Sequence, residues 1–181
     1  MVVGDSPLTA ETWRVVLERD REKVILWRSL AGGSTPKAQI AQTFKDAPMQ
    51  ALGRDEPVRM ADVLGEDAPV FEWLATSLYQ NDPDMLAVLL EDFDHTVAGY
   101  EMDQVLPAIR CPVLLLQADP NAGGLMTDAE IERALPLLAQ PSHVRLSGIS
   151  HVLHNEQKAP VLQAILDFLR EISRANQSAT S

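Results

Sequence analysis

Two regimes of hydrophobic patterning divide the chain. From Thr9 to about residue 110, apolar positions recur at helical spacing. Beyond Pro112, short unbroken aliphatic runs alternate with helical ones. Between Thr9 and about Leu30, the residues Trp13, Val16, Leu17, Val24, Trp27 and Leu30 make one apolar stripe. Thr9 suits the N-cap, and Glu11 suits the positive end of the helix dipole. Gly32-Gly33 stops this helix. A second helix is expected from Thr35, with Pro36 in its first position, to about Asp46. Residues 48–66 read as irregular. Further helices are expected over Pro69–Tyr79, from Asp82-Pro83 to about Phe93, and over Met102–Ile109, with no convincing strand anywhere in 9–110.

Val113-Leu114-Leu115-Leu116 is continuous rather than alternating, which is the pattern of a parallel strand covered on both faces. A polar loop over 118–127 follows, then a helix over about Asp128–Leu138 capped by Thr127. The strand His143-Val144-Arg145-Leu146, the turn Gly148-Ile149-Ser150-His151 and an amphipathic helix over about Glu156–Ile172 complete the pattern. Strand, helix and strand at this spacing imply a βαβ unit in a parallel sheet. Val2-Val3-Gly4 is a short β-like run ended by Asp5-Ser6-Pro7, and it reads as the end of a strand. The expected organisation is a strand segment over 1–8, a helical region over 9–110, an α/β part over 111–173, and a frayed polar tail over 174–181.

Composition narrows the partners. The chain has 181 residues, 46% of them hydrophobic, so it can bury a core and is too apolar for a disordered chain. Its net charge of -11 argues against nucleic acid and anionic membrane surfaces, since both would repel it. The apolar runs are too short to span a bilayer, and residues 1–5 do not read as a signal peptide. The lone cysteine, Cys111, forms no internal disulfide and reads as a small buried residue at a strand start. A cytoplasmic protein is expected, with no cofactor. Charges over Glu18–Lys23 read as a solvated helix face with i,i+4 pairs.

Two loops at the carboxyl edge of the expected sheet carry chemistry. One holds Asp119 and Asn121, the other His151. A carboxylate beside an imidazole fixes its tautomer and stabilises the imidazolium formed when it takes a proton. Asp119 is the carboxylate that its loop offers for that role. His154 reads as a structural or pocket-lining neighbour of His151. His143 and His95 read as structural. The His151-x-x-His154 spacing lacks the further ligands a metal site needs. Trp13, Trp27, Phe44, Phe71 and Trp73 read first as packing between helices, and secondly as the lining of an apolar pocket over the histidine.

These segments resemble the C-terminal part of an α/β-hydrolase. Cys111-Pro112-Val113-Leu114-Leu115-Leu116-Gln117-Ala118-Asp119 resembles the strand before the triad acid. Gly148-Ile149-Ser150-His151 resembles the family's Gly-x-Gly-His turn, with Ser150 in place of the second glycine. Ala164-Ile165-Leu166-Asp167-Phe168-Leu169 resembles the final helix, and Met1–Leu8 the preceding strand. In the acid loop, the commoner spacing falls on Asn121, which leaves Asp119 as the early carboxylate and the first choice for the triad acid. Asp128 is the far alternative, and the resemblance also admits Asp5, because some members of the family carry the acid on the preceding strand. The resemblance implies a partial α/β-hydrolase: a few-stranded parallel sheet with flanking helices and a largely helical lid at 9–110. It implies a nucleophile-His-acid triad with His151 as base and Asp119 as acid, hydrolysing a small, fairly apolar substrate as esterases do. Epoxide hydrolases, dehalogenases and C–C hydrolases share this half.

The Gly-x-Ser-x-Gly elbow that carries the family nucleophile does not occur in this sequence. Neither Ser6 nor Ser150 has an elbow context. The resemblance places the elbow before the strand at Met1–Gly4, so the chain is expected to lack the nucleophile half and to be inactive alone. Two readings follow. One is a part of a hydrolase completed by a second polypeptide. The other is a non-catalytic hydrolase-like domain for binding or assembly, using the exposed sheet edge for self-association or a partner.

Overall fold

The computed structural model describes residues 1–49, 56–153 and 158–179. In chain order the elements are β1 (Val2–Gly4), α1 (Ala10–Leu30), α2 (Lys37–Asp46), β2 (Pro48–Met49), β3 (Val58–Arg59) and α3 (Met60–Leu64). Then follow α4 (Pro69–Gln80), α5 (Pro83–Glu91), α6 (Phe93–Thr96), α7 (Met102–Val105), β4 (Val113–Ala118), α8 (Asp128–Ala134), β5 (Pro141–Leu146) and α9 (Lys158–Ala179). The chain is an α/β protein with a partial, three-stranded parallel sheet. Among the described residues, no helix is long and apolar enough to cross a membrane.

Two compact units divide it. One comprises Met1–Val16 and Val97–Ser181, and the other Leu17–Thr96. The first holds the sheet, in the order β1-β4-β5, with every pairing parallel. Val3 pairs with Leu115, and Leu115 with His143. The unbroken aliphatic run of β4 has the cause its pattern suggested. Val113 and Leu115 pack on one face with Leu8, Met102, Leu106, Met126 and Ile131. Leu114, Leu116 and Ala118 pack on the other with Leu146, Ile149, Leu153 and Phe168. Every residue of β4 is buried.

Gln117 is the polar residue of that strand. Its Nε2 donates to Met126 O at 3.2 Å and to Asp128 Oδ1 at 2.7 Å, and its Oε1 lies 3.0 Å from His143 Nε2. Glu130 is the second buried polar anchor. Its Oε1 accepts the N–H groups of Leu8 and Thr9, each at 2.9 Å, and its Oε2 accepts Thr127 N–H at 3.0 Å. Thr127 and Glu130 form a capping box at the start of α8. One carboxylate therefore satisfies the first turn of α8 and the chain entering α1. Burial raises the Glu130 pKa, but the hydrogen bonds from Thr127, Thr12 and Leu8 outweigh it and hold the group below its usual value.

The helical unit is shorter than the expected region 9–110. Met102 and Leu106 bury into the sheet's core, which draws residues 97–110 into the first unit, and the boundary near the N-terminus falls inside α1. Within the helical unit, Ile40, Phe71 and Ala75 are almost wholly buried, and the Trp27 and Phe44 rings meet tilted, 6.5 Å apart. Trp73 is more than half exposed, and Trp13, on the part of α1 in the first unit, is 39% exposed, so neither is a core residue. A recess of about 750 Å³ in this unit is lined by Leu26, Trp27, Leu30, Phe44 and Met60.

Four further expectations need correcting. A short antiparallel pair, β2 with β3, lies in a region expected to hold no strand. Arg59 on β3 secures it through ion pairs to Asp46, Asp62 and Glu66. Cys111 is exposed, because the strand proper begins two residues later. The last helix continues to Ala179, so residues 174–179 are helical rather than a frayed tail. On the charged face of α1, the pairs Glu18–Arg21 and Asp20–Lys23 are spaced i,i+3 rather than i,i+4.

Replacing Glu130 by alanine leaves the Leu8 and Thr9 N–H groups without their acceptor. The expected loss of unfolding free energy is about 2–5 kcal/mol. Glu132→Ala, at an exposed position two residues on, is expected to cost less than about 0.5 kcal/mol. Urea unfolding of both variants checks this.

Candidate active site

The three parallel strands end at one edge of the sheet, where open α/β sheets bind ligands. Asp5 follows β1, Asp119 follows β4, and the turn 147–151 follows β5.

Asp5 is fully buried and has a φ of 40°. That left-handed conformation strains most side chains, and aspartate tolerates it better than most. Its N–H donates to Leu116 O at 2.7 Å, which extends the ladder by one bond and fixes where the residue sits. Its carboxylate lies in a cradle of backbone donors. Oδ1 accepts from Ala118 at 2.9 Å and Met126 at 3.3 Å, and Oδ2 accepts from Leu125 at 2.8 Å.

The cradle exists because the loop after β4 folds back tightly. Gly124 N–H donates to Asp119 O at 2.9 Å. A Cβ on Gly124 would sit 3.0 Å from Ala118 C, Ala118 O and Asp119 C. Glycine is thus required by close approach of two backbones.

His151 completes the group. Its Nδ1 lies 3.1 Å from Asp5 Oδ2 and 2.9 Å from the Asp5 backbone oxygen. Both partners only accept, so Nδ1 carries the proton, and the lone pair of the neutral ring lies on Nε2. The His151 side chain is 47% exposed, against a wholly buried Asp5. Burial raises the Asp5 pKa. Hydrogen bonds from His151, Leu125, Ala118 and Met126 outweigh it and hold the carboxyl below the usual carboxylate value.

The sequence reading paired His151 with Asp119, and the geometry differs. Asp119 caps the turn 120–122, its Oδ1 accepting Asn121 N–H at 3.0 Å. Its Oδ2 accepts Gly148 N–H at 2.9 Å. Both carboxylate oxygens are engaged by backbone donors, and those of Gly148 and Asn121 lower its pKa. Asp128 pairs with Arg145 at 3.0 Å and accepts from Gln117. Of the three carboxylates weighed from sequence, the one at the His151 ring is Asp5.

The remaining candidates lie elsewhere. His143, on β5, faces Gln117. Since Gln117 Oε1 is an acceptor, His143 carries its proton on Nε2. His95 is exposed on α6. Ser150 Oγ accepts Val152 N–H at 3.3 Å. His154 lies outside the described residues. Sequence reasoning missed the cradle, which is made of backbone, and missed Glu130. The Gly123-Gly124 pair and the Thr127-x-x-Glu130 spacing were the available signals for them.

No protein-family model matches the chain, and no curated protein matches it. Among solved structures it is similar to a loop variant of a haloalkane dehalogenase from Bradyrhizobium elkanii, at 16% sequence identity and a TM-score of 0.47. The likeness covers 90% of this chain and 52% of the dehalogenase, so the chain spans about half the length of that structure.

Two outcomes are expected at this site. Asp5→Asn keeps the shape but turns one acceptor into a donor facing N–H groups. It is expected to cost about 3 kcal/mol at pH 7. A carboxyl with a lowered folded-state pKa contributes stability above its unfolded value of about 3.9, and that contribution is lost as pH falls through the folded value. The difference between wild type and Asp5→Asn in urea unfolding is therefore expected to shrink steadily below about pH 4. Gly124→Ala is expected to destabilise by roughly 1–3 kcal/mol through overpacking. A neutral Gly124→Ala in the same assay would contradict the close approach.

Proposed function

We propose that this chain carries the base and acid of an α/β-hydrolase-type active site, with His151 as the general base and Asp5 as its orienting carboxylate. The observation that carries the proposal is the contact of His151 Nδ1 with both acceptors of Asp5. It holds the ring in the tautomer a base needs, with Nε2 as the proton acceptor and a fixed negative charge behind the imidazolium that forms. The ordered motifs described above, from Met1–Leu8 to the final helix, support the family.

The nucleophile comes from polypeptide outside this sequence, which has no elbow pentapeptide. Its identity decides the reaction. A serine gives esterase-like hydrolysis of a small, fairly apolar substrate. An aspartate gives the chemistry of epoxide hydrolases or dehalogenases. Strand β1 is the sheet's edge on that side, and it offers outward backbone groups for a parallel strand of a second polypeptide. In chain order, the helical unit 17–96 takes the place of a lid. The second reading is a non-catalytic hydrolase-like domain that binds or assembles through the same edge, and the missing elbow favours it.

The test is hydrolysis of short-chain p-nitrophenyl esters by this chain alone and together with the polypeptide encoded directly upstream of it. No turnover is expected alone. Turnover is expected on combination, with His151→Ala and Asp5→Asn each lowering kcat by about 10³–10⁴. A combined activity untouched by His151→Ala would refute the base assignment. No activity in either arm, with complex formation intact, would favour the binding reading.

A further inference from the structure

We infer that Asp119 is a positioning residue that seats the His151 ring on Asp5 by clamping two loops together. The inference rests on the His151–Asp5 reading above and deepens it. Asp119 makes a reciprocal pair with the turn that carries the base. Its own N–H donates to Ile149 O at 2.8 Å, and its Oδ2 accepts Gly148 N–H at 2.9 Å. These bonds fall two and three residues before His151, so they fix the direction in which that turn leaves β5. Gly148, at a φ of 70°, supplies the left-handed conformation the turn needs there.

The same residue organises the other loop. Its carbonyl oxygen accepts the N–H groups of Ala122 and Gly124, each at 2.9 Å. The residues after Gly124 are Leu125 and Met126, whose N–H groups hold the Asp5 carboxylate. One residue thus fixes both the turn bearing the imidazole and the loop cradling its partner. The side chain must accept from two loops at once, Asn121 on one and Gly148 on the other. Only a carboxylate of this length presents two acceptor oxygens from this position. Asparagine keeps one, and alanine keeps none. Arg145, on β5, lies 3.8 Å from Asp119 Oδ1 and pairs with Asp128, which leaves the Gly148 link as the side chain's own contact with the turn, beside the backbone bond to Ile149.

A structural residue and a positioning residue differ in what they move. The experiment uses the whole chain labelled with ¹⁵N-histidine, reading ring tautomers and ring N–H exchange by long-range ¹H–¹⁵N correlation at neutral pH. In wild type, His151 is expected in the Nδ1–H form and His143 in the Nε2–H form. In Asp119→Ala, His151 is expected to become a tautomer mixture with its Nδ1 proton exchanging at least tenfold faster, while His143 keeps its signature. Asp119→Asn is expected to lie between.

Unchanged His151 signals in Asp119→Ala would overturn the inference and leave the His151–Asp5 pair standing. Loss of both histidine signatures in both variants would show a general structural role and also overturn it. A wild-type His151 protonated on Nε2, or one indifferent to Asp5→Asn, would remove the underlying pair, and the inference with it.

Discussion

A carboxylate wholly shielded from water is costly unless hydrogen bonds replace its hydration. Asp5 is such a group, and much of the sheet's carboxyl edge is organised around it. Three backbone N–H groups and the His151 ring surround its two oxygens. To supply the backbone donors, the loop after β4 must turn back on itself, which requires a residue without a side chain at Gly124. The ring must come from the turn after β5, which brings that turn against the end of β1. The position of one buried charge therefore constrains three loops at once.

The architecture around this charge follows a consistent division. Apolar side chains cover both faces of β4, and the few buried polar groups each satisfy several partners. Gln117 links β4 to β5 through His143 and to α8 through Asp128. Glu130 links the start of α8 to the chain entering α1. Each is placed where two segments meet, and each is satisfied mainly by neighbours in a second segment. Hydrogen-bonded polar groups in an apolar interior are direction-sensitive in a way that aliphatic packing is not. They fix the relative placement of elements whose burial the aliphatic residues supply.

Much of this was legible from the residues, and the parts that were not share a cause. The aliphatic run 113–116, the proline and glycine punctuation and the Thr127 cap signal local structure, because each reports the backbone near itself. The His151 turn was readable for the same reason. The choice between Asp5 and Asp119 was not, because it depends on which oxygens are already taken by N–H groups elsewhere. Asp119 was expected beside the His151 ring since it starts the neighbouring loop. Its oxygens are claimed by Asn121 and Gly148, a fact about the folded backbone that composition and spacing do not encode. The boundary of the helical unit was misjudged similarly, since Met102 and Leu106 have helical spacing and only tertiary packing reveals which core they enter.

The strands that bring Asp5 to its donors, β1 and β4, are adjacent in the sheet, yet their paired residues lie more than a hundred positions apart, as Val2 does from Leu114. Between them the chain runs through the whole helical unit. The entropy of closing such an excursion grows only logarithmically with its length, so doubling it costs about 0.6 kcal/mol. In chain entropy, the contact of His151 with Asp5 is therefore almost indifferent to how long the intervening excursion is. Lengthening the excursion by a helix adds little to the entropy of closing β1 onto β4. The buried charge and its donors are thus assembled across a long break in the chain, from segments that are distant in sequence and adjacent in the sheet.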